Sequence, residues 1–260
     1  MTQRVRVRRD RPSAITWAFA IAVAMLFVYL ATLAVPARVR EDEPASARVT
    51  REIVLEPREA AFVSLGAYSD ALNARVAAAD FSLRGAAAYV YARSGSWHVL
   101  GAAYADLASA RLQAEALSAR EGLSASAFSL HAGGVTLRVT APERTVNAIA
   151  NADSALRTHL NQLGATADRL DRSEISASQA RTLASVARSE LAAAQKALKD
   201  AQENALCRAL SEQLTDMIDE LDAIRTADSA ALSGRMRLCR VQGEISLIAI
   251  LNSLTAVSSD

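Results

Sequence analysis

Three histidines, two cysteines and 28 acidic residues are the groups in this 260-residue chain equipped for covalent, metal or acid–base chemistry. Their spacing assembles no catalytic motif. There is no Gly-rich phosphate loop, no Gly-x-Ser-x-Gly, no His-Glu-x-x-His and no Cys-x-x-Cys. His98 has no neighbour at metal or nucleophile spacing, and His131 falls at a turn. The acids lie mostly on polar helix faces. The sequence therefore predicts no enzyme, no metal and no cofactor. What it offers is a set of rings. Phe62, Tyr89, Tyr91 and His98, together with Arg93, fall on one face of neighbouring strands. Aromatic rings stack on the apolar faces of sugars, and their polar tips bond hydroxyls.

The elements that must position those rings are legible from an internal repeat. Residues 63–82 align without a gap on residues 99–118, matching Tyr68 with Tyr104, Asp70 with Asp106 and Arg75 with Arg111. In each copy a short apolar strand ends at the Tyr, and the Asp caps a helix by accepting from free N–H groups of its first turn. Leu72, Val76 and Ala79 in one helix, and Leu107, Leu112 and Leu117 in the other, are the expected core faces. Strands follow over 86–93 and 97–104, joined at Ser94-Gly95-Ser96 as a hairpin. Further strands follow over 123–131 and, after Gly133-Gly134, over 135–140. This β-α-β-β-α-β order with one closing strand predicts an α+β split βαβ (ferredoxin-like) sandwich: one antiparallel sheet with two helices on one face. Val63, Leu65, Ala88, Val90, Ala92, Trp97, Val99, Val135, Leu137 and Val139 then point to the helices. Phe62, Ser64, Tyr89, Tyr91, Arg93, His98 and Leu100 share the other face and form the candidate ligand-binding set. The same alternation fits a face packed on the C-terminal helices as core, or on a protein partner.

The two motif copies resemble the SPOR domain, the peptidoglycan-binding module of bacterial division and sporulation proteins. The copies are Val63-Ser64-Leu65-Gly66-Ala67-Tyr68-Ser69-Asp70 and Trp97-His98-Val99-Leu100-Gly101-Ala102-Ala103-Tyr104-Ala105-Asp106. The resemblance covers residues 59–141, about a third of the chain. It implies binding to glycan strands stripped of their peptide stems, in a cell-division or sporulation setting. The chain departs from the family pattern at Ser64, where a glutamine is usual, and at Ala102-Ala103, where Gly-Pro is usual.

Residues 15–35 contain no charge. As a helix they span about 31 Å, the thickness of a bilayer's hydrocarbon core. Arg4, Arg6, Arg8, Arg9 and Arg11 precede the run, which places the N-terminus inside and residues 36–260 outside, as a single-pass membrane protein. A cleaved signal peptide is the competing reading, against which stand the length of the run and Pro36 in the cleavage position. Net charge is +1, with the basic excess in residues 1–14; no basic patch remains for nucleic acid. Residues 36–58, punctuated by Pro36, Pro44 and Pro57, read as a linker.

Residues 142–260 read as an all-α antiparallel bundle or coiled coil. Its seams run through Leu156, Leu160 and Leu163, through Leu191 and Leu198, through Leu210, Leu214 and Leu221, and through Ile245, Ile248 and Leu251. The last of these is apolar on more than one face. It sits centrally in its own bundle, or it docks on a partner or a second copy. Cys207 and Cys239 meet only if the intervening hairpin centres near residue 223. Breakers place the turn nearer 227–230, which staggers the sulfurs by roughly 12–20 Å along the axes, beyond disulfide reach.

Overall fold

The structure, a computed structural model, describes residues 48–201 and 205–258. The twelve elements alternate as the repeat requires and then turn wholly helical. They are β1 (Arg48–Leu55), β2 (Arg58–Tyr68), α1 (Ala71–Leu83), β3 (Tyr89–Arg93), β4 (Ser96–Tyr104), α2 (Leu107–Glu121), β5 (Ser126–Ala132) and β6 (Val135–Pro142). Four helices complete the chain: α3 (Glu143–Asp171), α4 (Ala177–Asp200), α5 (Ala205–Thr226) and α6 (Leu232–Ser258).

Local chemistry explains the boundaries. Asp70 accepts from the Asn73 N–H at 2.8 Å, and Asp106 from the Ser109 N–H at 2.7 Å, so each repeat starts its helix with the same cap. Gly122 ends α2 at φ 66°, the left-handed position that glycine adopts without a Cβ penalty. Ser94 and Gly95 both take positive φ, which gives the primed turn that matches strand twist between β3 and β4. At α4, Ser176 and Gln179 bond each other's backbone N–H groups as a capping box.

The expected architecture of a self-contained ferredoxin-like sandwich followed by a separate bundle is corrected in two respects. First, there are two antiparallel sheets, not one. Strands β3-β4-β2-β5 form the larger, while β6 leaves it to pair with β1 from Arg48↔Pro142 to Leu55↔Val135. Strand β1 lies in the segment read as linker. Its Ile53 and Leu55, with Leu137 and Val139 of β6, pack into the core shared with α3 rather than onto α1 or α2. Second, the helical segment is not separate. Helix α6 lies across the larger sheet on the side opposite α1 and α2, against all four strands, so one continuous core holds Phe62, Leu100 and Phe128 together with Leu156, Leu214 and Leu251. Among the described residues no helix is long and apolar enough to cross a membrane. The basic tail 1–14 and the apolar run 15–35 lie outside the described residues.

Small residues set the distances within this core. Gly164 of α3 faces the Arg240 guanidinium and Gly243 of α6 faces Leu160, so a Cβ at either would collide with the neighbouring helix's side chain. These two glycines let α3 and α6 approach closely. In the larger sheet the β2–β4 register slips at Leu65 and at Gly101. A Cβ on Gly101 would sit 2.9 Å from Leu65 Cδ2, so the paired irregularities fit each other.

The core faces of α1 and α2 also differ from expectation. Ala74 and Ala78 of α1, and Ala110 and Ala114 of α2, meet the sheet. Leu72, Val76 and Leu112 face outward. Leu107 and Leu117 do pack inward, beside Val63 and Leu65.

Candidate functional site

The strand alternation sends Val63, Leu65 and Val99 to α1 and α2, and Phe62, Ser64, His98 and Leu100 to the other face. That other face is not open, which corrects the picture of a bare aromatic platform. Helix α6 begins beside Gly85 and Ala86, where Arg237 Nη1 donates to the Gly85 carbonyl at 3.0 Å. It ends beside β5, with Asn252 Nδ2 at 3.5 Å from the His131 carbonyl. Phe62, Ser64 and Leu100 beneath it are fully buried.

Buried charge fixes α6 to the sheet. Arg58 of β2 donates to both carboxylate oxygens of Glu244, from Nε at 2.7 Å and from Nη2 at 2.5 Å, and Nη2 also donates to Asn161 Oδ1 at 3.0 Å. Arg240 lies 3.9 Å from the same carboxylate. Burial lowers the affinity of the Arg240 guanidinium for its proton, and Glu244 opposes that effect. Arg237 adds ion pairs to Asp168 at 3.2 Å and Asp171 at 2.5 Å on α3.

What remains accessible is one corner of the sheet, where the end of β3 and the start of β4 project. Arg93 is exposed, and Tyr91 and His98 are half-buried. Phe128 is the hub that joins them. The Arg93 guanidinium lies 4.3 Å above its ring, within cation–π range. Tyr91 stacks near-parallel with it at 6.3 Å, and His98 meets it edge-on at 5.7 Å. Phe62 supports it from below at 5.8 Å.

Ser64 positions the histidine. Its Oγ–H donates to the Gly66 carbonyl at 3.0 Å, so its lone pair takes the Nδ1–H of His98, 3.1 Å away. The Nε2 atom of His98 is then left as an acceptor. Burial holds the His98 pKa below its ordinary value, and the Arg93 charge pushes in the same direction. The corner thus presents a neutral imidazole acceptor, the guanidinium donors of Arg93 and the phenol of Tyr91.

The predicted set therefore divides. Tyr91, Arg93 and His98 come together at the surface. Ser64 lies under them as a support. Phe62 and Leu100 belong to the core. Tyr89 lies apart, at a cleft of about 320 Å³ between β3, α5 and α6 that Gln213, Asp216, Asp219 and Glu220 also line. Burial raises the Glu220 carboxyl above its usual range, against the opposing charge of Arg235. Sequence reasoning does not single out Phe128. The signal that finds it is alternation within β5, which places Phe128 and Leu130 on the face that Phe62 occupies in the neighbouring strand.

Among the described residues no group of three or more His, Cys, Asp or Glu is placed to hold a metal ion. Cys207 and Cys239 are both buried and carry no disulfide. Comparison of the chain with family models, curated proteins and solved structures returns no match in any of the three.

Proposed function

We propose that this chain is a non-catalytic, single-pass membrane protein of the cell envelope that contacts peptidoglycan glycan strands through the Tyr91–Arg93–His98 corner. Its N-terminus is cytoplasmic and residues 36–260 are extracytoplasmic. The setting is cell division or sporulation, as the SPOR-like motif copies imply. The observation that carries the reading is the corner itself. A phenol ring, a guanidinium plane and a histidine acceptor, held in place by Phe128 and Ser64, stand at the surface. Sugars offer apolar ring faces for stacking and hydroxyls that donate to an acceptor such as Nε2. No cofactor is involved and no nucleic acid is a partner.

The test is co-sedimentation of residues 36–260 with purified cell-wall sacculi, with and without amidase removal of stem peptides. A fragment limited to 59–141 is unsuitable, because it strips α6 from Phe62 and Leu100. Binding rises after amidase treatment and falls at least tenfold in Tyr91→Ala and Arg93→Ala. Equal binding by the variants, or none by the parent, overturns the reading. A second reading, a membrane-tethered scaffold that works through a protein contact, is favoured by one observation: large apolar side chains of α1 stand in solvent.

A further inference from the structure

The outer surface of α1 carries an apolar stripe that the rest of the described chain leaves in solvent. Leu72, Val76 and Leu83 are 71%, 59% and 86% exposed, and Ala79 between them is also exposed. Scattered apolar residues on a surface are ordinary, but these are not scattered. The steps from 72 to 76, 79 and 83 are four, three and four residues, the spacing that keeps one seam of a helix facing another helix. The helix's own core contact lies on the opposite side, through Ala74, Ala78 and Phe81.

The flanking charges define the partner. With Val76 and Leu83 at a positions and Leu72 and Ala79 at d positions, Arg75 is a g residue and Asp80 is the e residue five places on. Both are exposed, and neither has an ion-pair partner among the described residues. In a parallel, in-register helix pair, g of one chain meets e of the other at that offset of five. Arg75 of one copy therefore faces Asp80 of the second, and symmetry makes the contact twice. An unrelated helix has no reason to carry the matching charges, and a lipid surface has no use for the offset.

We infer that α1 is the seam of a parallel homodimer, with Leu72, Val76, Ala79 and Leu83 packed across the two-fold axis and two Arg75–Asp80 ion pairs closing its sides. Ala79 at a d position lets the helices approach closely. Parallel packing also puts the Arg48 ends of both copies on the same side, as two chains leaving one bilayer require. This last fit rests on the membrane reading; the seam does not.

The test uses the full chain in phosphatidylcholine vesicles, with Val76→Cys as the reporter. The native Cys207 and Cys239 are buried, so mild oxidation addresses the introduced thiol. Val76→Cys forms a covalent dimer at least tenfold faster than Val186→Cys, a half-exposed control position on α4. Adding Arg75→Asp or Asp80→Arg slows cross-linking several-fold, and combining both restores it. Two results overturn the proposal. One is cross-linking no faster than at the control. The other is a charge swap that fails to restore it, which assigns the stripe to lipid or to a different protein. All substituted side chains are exposed, so folding is retained; circular dichroism of each variant verifies it.

Discussion

Glu244→Ala is the substitution that asks whether sheet and helices are one body. The Glu244 carboxylate is 1% exposed and receives two hydrogen bonds from Arg58, whose side chain is 13% exposed. Arg240, equally buried, lies 3.9 Å away, and its Nε has no hydrogen-bond partner. Removing the carboxylate leaves two largely buried guanidinium groups, with only Asn161 as a bonded acceptor for Arg58. Breaking one partner out of a buried ion pair costs about 3–5 kcal/mol, because the remaining charge is desolvated without compensation. For a unit of this size each kcal/mol lowers the melting midpoint by about 2–4 °C, so a fall of roughly 10 °C is expected.

The assay is urea unfolding of residues 36–260 read by two probes. Trp97, in β4, is the sole tryptophan of that segment and reports the sheet. Far-ultraviolet circular dichroism reports mainly the helices. Both curves should coincide, and both should shift together in Glu244→Ala. A double-mutant cycle with Arg58→Ala should return a coupling of about 2 kcal/mol, within the range for residues in one buried network. A Trp97 transition that stays put while the helical signal moves would refute the shared core. So would a loss below about 1 kcal/mol, the scale of an exposed pair.

Two further outcomes follow from local chemistry. Cys207 and Cys239 carry no disulfide and are buried, and burial raises the Cys239 thiol above its ordinary range. Reductant should leave the melting midpoint unchanged, and iodoacetamide should label both thiols only after unfolding, as read by intact mass. The caps give an acid dependence. Backbone N–H groups of Asn73 and Ser109 hold the Asp70 and Asp106 carboxyls below their usual value. Their stabilisation is complete above the unfolded value near pH 4 and is lost as pH falls through the lower folded values. Asp70→Asn/Asp106→Asn keeps capping oxygens but should flatten the urea midpoint against pH below about 4.

The residues that were legible in the sequence are those whose role is settled within a few positions. Asp70, Asp106 and Ser94-Gly95 act on their own backbone, and they act as their types dictate. The faces of α1 were not legible, because Leu72, Val76 and Ala79 recur with the same helical period as Ala74, Ala78 and Phe81. A helix apolar on both sides has no preferred direction in its sequence, and here the small residues won the sheet because they allow close approach. Strand β1 was hidden by Pro44 and Pro57 on either side of it, although Val49, Ile53 and Leu55 carry strand-like alternation. The site was half legible. Alternation put Tyr91, Arg93 and His98 on the right face, but nothing local tells whether a sheet face meets water or a helix 140 residues later in the chain. That choice is made by Arg58 and Glu244 and by the seam of α6.

The position of α6 bears directly on how large a ligand surface this fold can offer. Opening the whole sheet face would return Phe62 and Leu100 to water, at about 1.5–3 kcal/mol for each side chain. It would also break the Arg58–Glu244 pair and expose the leucines of α6 that face the strands. Those terms together rival the whole stability of an ordinary domain, about 5–15 kcal/mol. A glycan cannot supply such an opening through stacking and a few hydroxyl bonds, so the recognition proposed above is confined to what already stands in solvent. At the sheet that is Tyr91, Arg93 and His98. On the far side it is the α1 stripe, which cannot reach the same ligand because the sheet lies between them. The two surfaces therefore act independently: Tyr91→Ala should leave Val76→Cys cross-linking unchanged, and Arg75→Asp should leave the affinity of each copy for sacculi unchanged.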